Sequence, residues 1–437
     1  MLEKLGITEL NDMQREAGDA ILRGKQDVVV LSPTGTGKTL AYLLPLVELV
    51  DAQQDVPQAL VIVPGRELAM QSDRVLKDLG SGLRSAACYG GRTAMEEHRR
   101  LKEVKPQIIF GTPGRLNDHL DKGNINPYAV RYLVIDEFDK CLEMGFHDEM
   151  ARLLKKLPGV RRHILLSATD ADAIPDFVSM GRTQRIDYLS DEEQVNDRVT
   201  AYVVKSPVKD KLATLRQLLC SFGDQQTVVF LGFRDAVERV GDYLRREGFA
   251  ASVFHGGMEQ KQREDALYKF SNGSANVFVS TDLGSRGLDI PDIQNIVHYH
   301  LPLHEQELVH RVGRTARWDK QGRTFFIVGP EEQLPEFVDC DNEEYSLPSL
   351  PSEGVEVSLP QMATIYIGKG KKDKISKGDI VGFLCKKGGL QPSEIGRIDV
   401  MDRYAYVAVS RPRFEQVLRL TKGEKIKGIK TVIEPVK

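Results

Sequence analysis

The stretch Asp27-Val-Val-Val-Leu-Ser-Pro-Thr-Gly-Thr-Gly-Lys-Thr39 decides the fold of the first part of the chain. Four consecutive apolar residues follow Asp27, which predicts a buried strand at 27–31. A glycine-rich turn follows, and a helical pattern begins at Lys38. A strand, a glycine-rich loop and a helix in this order are the context of a phosphate-binding P-loop. The stretch therefore predicts a parallel α/β domain with a nucleotide site at the end of this strand.

The residues of this loop have the chemistry that nucleotide phosphates need. Backbone N–H groups in the turn can surround phosphate oxygens, and the Lys38 ammonium can neutralise the β- and γ-phosphates of ATP. The Thr39 hydroxyl can hold Mg²⁺. A glycine-rich turn without a ligand is the alternative, but the G-K-T triplet here stands between a strand and a helix. The predicted ATP contacts in this stretch are Thr34, Gly35, Thr36, Gly37, Lys38 and Thr39.

Short Val- and Ile-rich runs alternate with helical patterns over most of the chain, which predicts parallel α/β sheets. A polar, acidic stretch at 187–196 interrupts the alternation, so we predict one such domain before it and a second after it. In the first half the predicted strands are 27–31, 59–63, 107–111, 131–135 and 163–167. In the second half they are 200–205, 227–231, 251–254, 276–280, 295–299 and 323–328.

An acidic motif, Asp136-Glu-Phe-Asp139, follows the apolar run at 131–135. An acid at the end of a buried strand, downstream of a P-loop, fits a magnesium ligand, and we assign this role to Asp136. Glu137 is then placed to orient or deprotonate the attacking water. The alternative is a strand-end loop that happens to be acidic.

Two further clusters have polar or basic residues at strand ends or in helical patterns. Ser167-Ala-Thr169 ends an apolar run, and His310-Arg-Val-Gly-Arg-Thr-Ala-Arg317 concentrates three arginines in the second domain. Arg314 and Arg317 could act on the γ-phosphate as arginine fingers, an effect of roughly 10³–10⁵ in rate in other enzymes. The alternative is a surface patch that pairs with Asp or Glu.

The net charge of −3 hides an asymmetry along the chain. Residues 362–437 carry 17 Lys or Arg and 8 Asp or Glu, a net charge of +9, whereas the rest of the chain carries −12. A basic tail on an acidic body predicts a polyanion-binding module, with a solvated charged surface as the alternative.

The tail and the segment before it have different compositions. Residues 330–361 hold five prolines, nine acidic residues and no Lys or Arg, which predicts a linker or an extended wrap on the second domain. The tail predicts the order β-α-β-β-α-β, the ferredoxin-like arrangement that RNA-recognition domains share. Its predicted strands are 364–368, 396–400, 404–409 and 429–433, and its predicted helices are 377–387 and 411–421.

Composition excludes several classes of protein. With 41% hydrophobic and 28% charged residues the chain is typical of a globular protein, and no apolar run approaches the roughly 18 residues of a membrane span. The start lacks the basic and apolar regions of a signal peptide. Five scattered cysteines without a C-x-x-C pair indicate free thiols in a reducing compartment and no structural zinc site. We therefore expect a cytoplasmic protein with no membrane partner, and a monomer by default.

The motifs follow one another in the order of the DEAD-box RNA helicases of superfamily 2, a family that the chain resembles over nearly its whole length. The matching motifs are Gly6-Ile7 with Gln14, the P-loop, Pro64-Gly-Arg-Glu-Leu-Ala69, Gly90-Gly91, Thr112-Pro-Gly-Arg115, the acidic motif, Ser167-Ala-Thr169, His255-Gly-Gly257, Thr281-Asp282 with Arg286-Gly-Leu-Asp289, and His310-Arg-Val-Gly-Arg-Thr-Ala-Arg317.

This resemblance implies two RecA-like parallel-sheet domains in tandem, which close on ATP and single-stranded RNA together, and a small RRM-like (ferredoxin-like) α+β domain at the C-terminus. The boundaries that we expect are 1–190 for the N-terminal ATP-binding domain, 197–330 for the second RecA-like domain, 331–361 for the acidic Pro-rich linker, and 362–437 for the RNA-binding domain.

The resemblance also implies a role for each motif residue. Gln14 would read the adenine edge, and Asp289 would lie near the ribose. Ser167 and Thr169 would link hydrolysis to domain closure, together with Asp139 and His310. The implied catalytic residues are Glu137, Lys38, Arg314, Arg317, Ser167 and Thr169. The implied RNA-backbone contacts are Arg66, Gly91, Thr112 and Arg115 on the first domain and His255, Gly256, Thr281 and Arg286 on the second.

The chain departs from the family pattern at three places. The namesake tetrad reads D-E-F-D, with Phe138 in place of Ala; we expect the chemistry to survive and the ring to alter coupling. Gly65 replaces the usual Thr. Leu10-Asn11 replaces the usual Pro-Thr, and no aromatic residue precedes Gln14, so adenine stacking is expected to be weaker or supplied differently.

The tail resembles the RNA-binding domain of DbpA-type bacterial helicases, a group that acts on large-subunit ribosomal RNA during ribosome assembly. The matching stretches are Thr364-Ile-Tyr-Ile-Gly-Lys-Gly-Lys-Lys-Asp-Lys374, Gly378-Asp-Ile-Val-Gly382 and Ile395-Gly-Arg-Ile-Asp399. Tyr404 and Tyr406 are expected to share one face of a strand, which either packs on helices or meets RNA. The RNA candidates of the tail are the Lys369–Lys374 loop, which includes Lys371 and Lys372, and Arg397, Arg403, Arg411 and Arg413.

We therefore expect an ATP- and Mg²⁺-dependent RNA helicase that locally remodels structured RNA, with 23S-type ribosomal RNA and pre-ribosomal particles as partners. One alternative is an ATP-gated RNA clamp with little turnover, which Glu137, Arg314 and Arg317 oppose and Phe138 leaves open. Another is a DNA helicase or translocase, which Gln14, the RNA motifs and the tail oppose.

Overall fold

A computed structural model describes most of the chain, and no helix in the described part is long and apolar enough to span a membrane. The first parallel sheet forms one compact unit, and the second parallel sheet and the tail domain share another. The described residues are 1–33, 35–91, 94–143, 145–169, 174–189, 199–282, 293–313, 322–338, 344–347 and 357–436.

The first unit is built on a seven-stranded, all-parallel sheet. The strands are β1 (Asp27–Leu31), β2 (Ala59–Ile62), β3 (Ser85–Cys88), β4 (Ile108–Gly111), β5 (Tyr132–Ile135), β6 (Arg162–Ser167) and β7 (Thr183–Asp187). Their order across the sheet is β3-β4-β2-β5-β6-β1-β7, so β1, which leads into the P-loop, lies beside β6.

Helices cover both faces of this sheet. They are α1 (Asp12–Arg23), α2 (Lys38–Leu49), α3 (Arg66–Leu79), α4 (Ala94–Val104), α5 (Pro113–Asp121), α6 (Phe138–Glu143) and α7 (His147–Lys155). Two apolar cores result, one on each face: Leu43 and Val61 belong to the first, and Ile62 and Met150 to the second. Burial on both faces explains why the inner strands are continuous apolar runs.

The five strands predicted in this half are confirmed, with β1 at the predicted bounds. Two strands were missed, and both lie at edges of the sheet. β3 reads Ser-Ala-Ala-Cys and lacks large or β-branched residues, whereas β7 is largely polar and exposed. Each is a strand because its neighbour supplies the hydrogen bonds, not because of its own propensity.

The second unit contains a six-stranded, all-parallel sheet. Its strands are β8 (Val199–Lys205), β9 (Thr227–Leu231), β10 (Ala251–Phe254), β11 (Val277–Thr281), β12 (Asn295–His298) and β13 (Gly322–Val328), in the order β10-β11-β9-β12-β13-β8. The described helices are α8 (Leu212–Phe222), α9 (Arg234–Arg246), α10 (Gln260–Ser271) and α11 (Glu305–Val312). All six predicted strands are confirmed. The predicted boundary at 190–197 lies outside the described residues.

Part of the acidic segment lies along this second sheet. Tyr345 donates its backbone N–H to the Val203 carbonyl at 2.8 Å, and its ring packs edge-on against Phe325 at 5.1 Å between centroids. The described residues 344–347 therefore behave as the extended wrap that the composition allowed.

The tail is a four-stranded antiparallel sheet with two helices on one face. Its main strands are β14 (Met362–Ile367), β15 (Ile395–Val400), β16 (Ala405–Ser410) and β19 (Ile433–Pro435), in the order β15-β16-β14-β19. The helices are α12 (Lys377–Lys386) and α13 (Phe414–Thr421). The strand predicted at 429–433 was partly wrong: Ile429–Lys430 (β18) pairs with Lys425–Ile426 (β17) in a small hairpin, and the main strand begins at Ile433.

Candidate functional site

The P-loop follows β1 and ends at the first residue of α2. Gly35 and Gly37 have φ angles of 84° and 83°, which residues other than glycine rarely adopt. A Cβ on Gly37 would lie 2.2 Å from Gln14 Nε2, so close packing also requires glycine there. Thr36 lies between these two glycines and Thr39 follows the turn, and both are half-buried. Thr34 is outside the described residues.

The Lys38 ammonium is buried and bonded to the loop itself. It donates to the Ser32 carbonyl and, at 2.8 Å, to the Pro33 carbonyl. Burial lowers the pKa of Lys38 to about 8, against an opposing effect of the Asp136 charge. A desolvated ammonium in this loop is a strong donor for phosphate oxygens. Charged phosphate oxygens are stronger acceptors than the neutral carbonyl oxygens that they would replace.

Gln14 and Asn11 join the start of α1 to the P-loop. Asn11 Oδ1 accepts from the Gln14 backbone N–H at 2.8 Å, and Gln14 Oε1 accepts from the Asn11 N–H at 3.1 Å, a reciprocal capping box. Gln14 Nε2 donates to the Gly37 carbonyl at 3.2 Å, and Asn11 Nδ2 donates to the Thr36 carbonyl at 2.9 Å. In the sequence, Asn11 stood out only as a departure from the family's usual Pro-Thr. Its side-chain amide, a hydrogen-bond donor, is the feature that could have indicated the contact with the Thr36 carbonyl.

The two carboxylates of the acidic motif lie together after β5. Burial, and then the Glu137 charge, raise the pKa of Asp136 to about 7. Glu137 has a φ angle of 51°, an uncommon left-handed conformation for this residue type. Strained backbone at a carboxylate beside a phosphate-binding loop is typical of a residue held for function.

Asp136 and Thr39 have the oxygen ligands that a hard cation would need. Burial and the Asp136 charge raise the pKa of the Tyr42 hydroxyl, and Thr39 interacts with the same hydroxyl, so both oxygens lie close to one point. Carboxylate and hydroxyl oxygens are the ligands that Mg²⁺ prefers. A cation there would also offset the repulsion between Asp136 and Glu137.

Phe138, within this motif, and Lys140, just after it, lie in α6, and both are buried. The Phe138 ring belongs to an apolar core of the first unit, with Leu133 and Met150. The Lys140 Nζ lies 3.2 Å from Glu137 Oε1. The ring that replaces the usual Ala is therefore accommodated by the core.

Ser167 and Thr169 lie at the end of β6, beside the acidic motif. Thr169 Oγ1 donates to Asp139 Oδ2 at 3.0 Å, and Ser167 Oγ donates to the Thr169 carbonyl at 2.6 Å. These bonds connect β6, the strand beside β1, to α6.

The four RNA candidates of the first unit lie at the carboxyl ends of its strands. Arg66 begins α3, and a Cβ on Gly90 would lie 3.4 Å from its guanidinium. Gly91 has a φ of 96°. The Thr112 N–H donates to the Cys88 carbonyl at 3.1 Å, and Arg115 follows one turn later in α5. The structure thus brings the Gly90-Gly91 turn, the start of α3 and the start of α5 to the same edge of the sheet.

The Glu97 carboxylate contacts several groups at this edge of the sheet. It accepts from the Tyr89 N–H and His119 Nε2, each at 3.0 Å, and lies 3.5 Å from Arg115 Nη1. Cys88 is close enough to complete a metal-binding trio with Glu97 and His119, but burial raises the pKa of its thiol. An arginine partner and a protonated thiol favour a hydrogen-bond network over a metal site.

In the second unit, His255 and Gly256 follow β10 and Thr281 ends β11. His255 is buried; its Nε2 bonds to Glu238 at 2.7 Å, and its Nδ1 accepts from the Gly257 N–H at 3.1 Å. The ring therefore shapes the turn, and the exposed Gly256 backbone is the part that faces solvent. Arg286, Asp289, Arg314 and Arg317 lie outside the described residues.

The first arginine of the arginine-rich motif is an anchor. Arg311 is buried and forms two hydrogen bonds to Asp282, with Nη2 to Oδ2 at 2.7 Å. Its Nη1 donates to the His300 carbonyl at 2.8 Å and contacts His298 Nδ1 at 3.1 Å. This arginine therefore connects α11 to the ends of β11 and β12. It pairs with an aspartate, as the alternative described, but it is buried and not part of a surface patch; His310 beside it is also buried.

Two loops of the tail bring basic residues together. The Lys371 and Lys372 backbone N–H groups donate to the carbonyls of Met401 and Asp402, each at 2.8 Å, so Arg403 lies beside them. A Cβ on Gly370 would lie 2.2 Å from the Met401 carbonyl oxygen, which explains the glycine. The side chains of Lys371, Lys372 and Arg403 are exposed. Arg397 is also exposed but pairs with Asp399 at 2.8 Å.

The other face of the tail sheet packs on the second domain. Tyr404 Oη donates to Glu264 at 2.5 Å, Tyr406 Oη donates to Asp265, and the Tyr406 ring lies 4.6 Å from that of Tyr268. Tyr404 and Tyr406 therefore share a face as predicted, and this face packs on helix α10 of the second domain.

Arg411 closes the same interface. Its guanidinium donates to the carbonyls of Pro360, Ser274 and Met362, the last two at 2.9 and 2.8 Å. Arg413 pairs with Glu394 at 3.0 Å. Both arginines were RNA candidates in the sequence, but the first has a structural partner on each side of the interface.

Three known families match successive parts of the chain. The family described as DEAD/DEAH box helicase matches residues 11–177, the helicase conserved C-terminal domain matches 210–319, and the DbpA RNA binding domain matches 364–435. The chain is 36% identical over 437 residues to the ATP-dependent RNA helicase DbpA of Escherichia coli (strain K12), covering 98% of this chain and 94% of that protein. It is 30% identical over 463 residues to DbpA of Bacillus subtilis (strain 168), covering 98% and 95%.

Solved structures agree on the fold. Mss116p bound to ssRNA and AMP-PNP matches with a TM-score of 0.68 at 25% identity, over 75% of this chain and 71% of that one. Dbp5 of S. cerevisiae bound to RNA and ADP BeF3 matches with a TM-score of 0.67 at 24% identity, over 75% and 86%. The two parallel-sheet domains are RecA-like, as predicted. The chain therefore belongs to the DEAD-box family of ATP-dependent RNA helicases, with a DbpA-type RNA-binding domain as its tail.

Proposed function

We propose that this helicase locally unwinds structured RNA, and that its target is large-subunit ribosomal RNA during ribosome assembly. The observation that carries the RNA target is the tail: it matches the DbpA RNA binding domain, and its loops present Lys371, Lys372 and Arg403 to solvent. The proposed partners include pre-ribosomal particles. The proposed form of the protein is a cytoplasmic monomer.

ATP binding uses the first domain. Lys38 would exchange its loop carbonyls for phosphate oxygens, with backbone N–H groups of the P-loop around them. Gln14 is fixed by the capping box with Asn11, which presents its carboxamide beside Gly37 for the adenine edge. The proposed ATP contacts are Gln14, Thr34, Gly35, Thr36, Gly37, Lys38, Thr39 and Asp289.

Hydrolysis needs a placed water and a neutralised phosphate. Mg²⁺, held by Thr39 and Asp136, would supply charge neutralisation for the phosphates. Glu137 orients the attacking water and accepts its proton, and its left-handed backbone fixes where the carboxylate points. Arg314 and Arg317 are the proposed arginine fingers.

Coupling of hydrolysis to RNA is proposed to run through Ser167, Thr169 and Asp139. The Thr169–Asp139 bond connects the β6 end to the helix that follows Glu137. A change at the hydrolytic carboxylate can therefore move the end of β6. His310 is the proposed partner on the second domain.

RNA contacts are proposed to go mainly to the phosphate backbone, which explains binding without sequence choice. The first domain offers Arg66, Gly91, Thr112 and Arg115, and the second offers Gly256, Thr281 and Arg286, with His255 supporting its turn. In the tail the proposed contacts are Lys371, Lys372, Arg397 and Arg403. Closure of the two domains on one strand would bend it out of duplex geometry, and hydrolysis would reopen the site.

The test is ATP turnover at one stated salt concentration, with ribosomal RNA or an unrelated RNA of equal length. The wild type is compared with Glu137→Gln and with the double variant Lys371→Ala/Lys372→Ala. A second double variant, Lys102→Ala/Lys155→Ala, removes the same charge from exposed positions of the first domain and is the matched control.

Stimulation by ribosomal RNA alone, lost in the tail variant and kept in its control, is the expected result. Equal stimulation by both RNAs would remove the ribosomal target and keep the helicase. Tight ATP-dependent RNA binding without turnover would indicate the RNA clamp instead, the alternative that Phe138 leaves open. Preferential unwinding of a matched DNA duplex would contradict the RNA assignment.

A further inference from the structure

One large aromatic side chain stands exposed among the RNA candidates of the second domain. Phe233 is 71% exposed, and it follows β9 after a single residue, Gly232. β9 lies in the middle of the sheet, next to β11, whose last residue is Thr281. Single exposed hydrophobic residues are common, so exposure alone decides nothing. The surroundings of the ring carry the argument.

The ring is held in place and not loose. The Gly232 N–H donates to His300 Nδ1 at 3.0 Å, and the rings of Phe233 and His300 meet edge-on, 5.9 Å apart at an angle of 67°. Burial, followed by the Lys211 charge, lowers the pKa of His300, so the imidazole is neutral and keeps this acceptor. A ring that is already ordered loses little entropy when a partner binds.

Arg234, the residue after Phe233, lies against the His255–Gly257 turn, where an RNA contact is proposed. A Cβ on Gly256 would lie 3.6 Å from Arg234 Nη2, and one on Gly257 would lie 3.4 Å from Arg234 Cδ. Glu238, one turn further along α9, bonds to His255. The exposed ring, an exposed arginine and an exposed glycine turn therefore share one surface within this domain.

We propose that Phe233 stacks on a base of the single-stranded RNA whose backbone Arg234 and Gly256 contact. The inference rests on the proposed RNA binding by the second domain and adds a base contact to it. An aromatic platform beside a positive turn is how sequence-tolerant single-strand sites gain affinity, because every base has a π-face. The other RNA contacts proposed for this domain go to phosphates, so this ring would be the main contact with a base in the described part of the second domain.

The test uses the full chain with a non-hydrolysable ATP analogue and a uridine decamer that carries 2-aminopurine at one position, moved along the strand. In the wild type we expect 2-aminopurine fluorescence to be quenched at one position, and an abasic site there to weaken binding. Phe233→Leu, which keeps an apolar side chain, should raise the Kd roughly 5- to 150-fold. Phe233→Trp should restore binding.

Val208→Ala is the matched control, because Val208 is also exposed, at 52%, but follows β8 at the far edge of the sheet. Equal affinities for the wild type, Phe233→Leu and Val208→Ala, with no position-specific quenching, would overturn the inference and leave the proposed function standing. Failure of the wild type to bind the decamer at all would instead overturn the proposed function. The quenching is read on the wild type, so it does not depend on how a variant folds.

Discussion

The tail interface offers a sharp test of how the second unit is held together, through Tyr406→Phe. The change removes one hydroxyl and keeps the ring packed against Tyr268, at 4.6 Å between centroids and an angle of 35°. A hydrogen bond to a charged acceptor contributes about 1.5–3 kcal/mol. The acceptor, Asp265, also lies 3.4 Å from Lys261 and is 18% exposed, so part of its charge stays solvated. We therefore expect the lower end, about 1.5 kcal/mol of the free energy of unfolding of this unit.

The measurement is urea unfolding of the full chain, followed by circular dichroism, in a double-mutant cycle with Asp265→Asn. The cycle isolates the pair and should give a coupling energy above about 0.5 kcal/mol. Tyr128→Phe is the control, since Tyr128 is 76% exposed in the first unit and should change stability by less than about 0.5 kcal/mol. A coupling energy near zero would refute the reasoning that this bond stabilises the docked tail.

Three further predictions concern other sites. Gly37→Ala should weaken binding of a fluorescent ADP about tenfold or more, because φ is 83° and Gln14 Nε2 would lie 2.2 Å from the new Cβ. The control is Gly18→Ala on α1, where a Cβ would meet no atom within 4 Å, and it should leave the affinity for ADP unchanged. Arg411→Ala should lower the free energy of unfolding by about 2–3 kcal/mol, since three carbonyls lose a charged donor, and a loss under about 0.5 kcal/mol in urea would contradict this. Burial, followed by the Arg311 charge, lowers the pKa of His298 well below its usual value, so only the unfolded chain takes up a proton at this side chain. The free energy of unfolding should therefore fall by up to about 1.4 kcal/mol per pH unit below about pH 6.5. His298→Gln should reduce this pH dependence by the contribution of one proton.

The sequence predicted what depends on local pattern. β1 was placed at its bounds because its four apolar residues, after Asp27, are buried on both faces and the P-loop follows them. β3 was missed because Ser-Ala-Ala-Cys has no strand propensity; only its pairing with β4 makes it a strand. The tail hairpin was missed because Gly428, at a φ of 80°, turns the chain between two short strands where the pattern allowed one.

The candidate site divides in the same way. The P-loop and the acidic motif were predictable because each is a short stretch at a strand end. The role of Arg311 was not, because its partner Asp282 lies far along the chain. The contact of Tyr406 with Asp265 joins residues 141 positions apart in two domains, and no local pattern records such a pairing.

The docked tail sheet has a consequence for where the enzyme works. Its tyrosine face is covered by α10, so the exposed loop at Lys371 and Lys372 stands at a constant offset from the Gly256 turn. An RNA anchored on that loop would present to the second domain only the nucleotides that lie one fixed length away. In that arrangement the strand would be selected by its distance from the anchor, and its base sequence could vary freely.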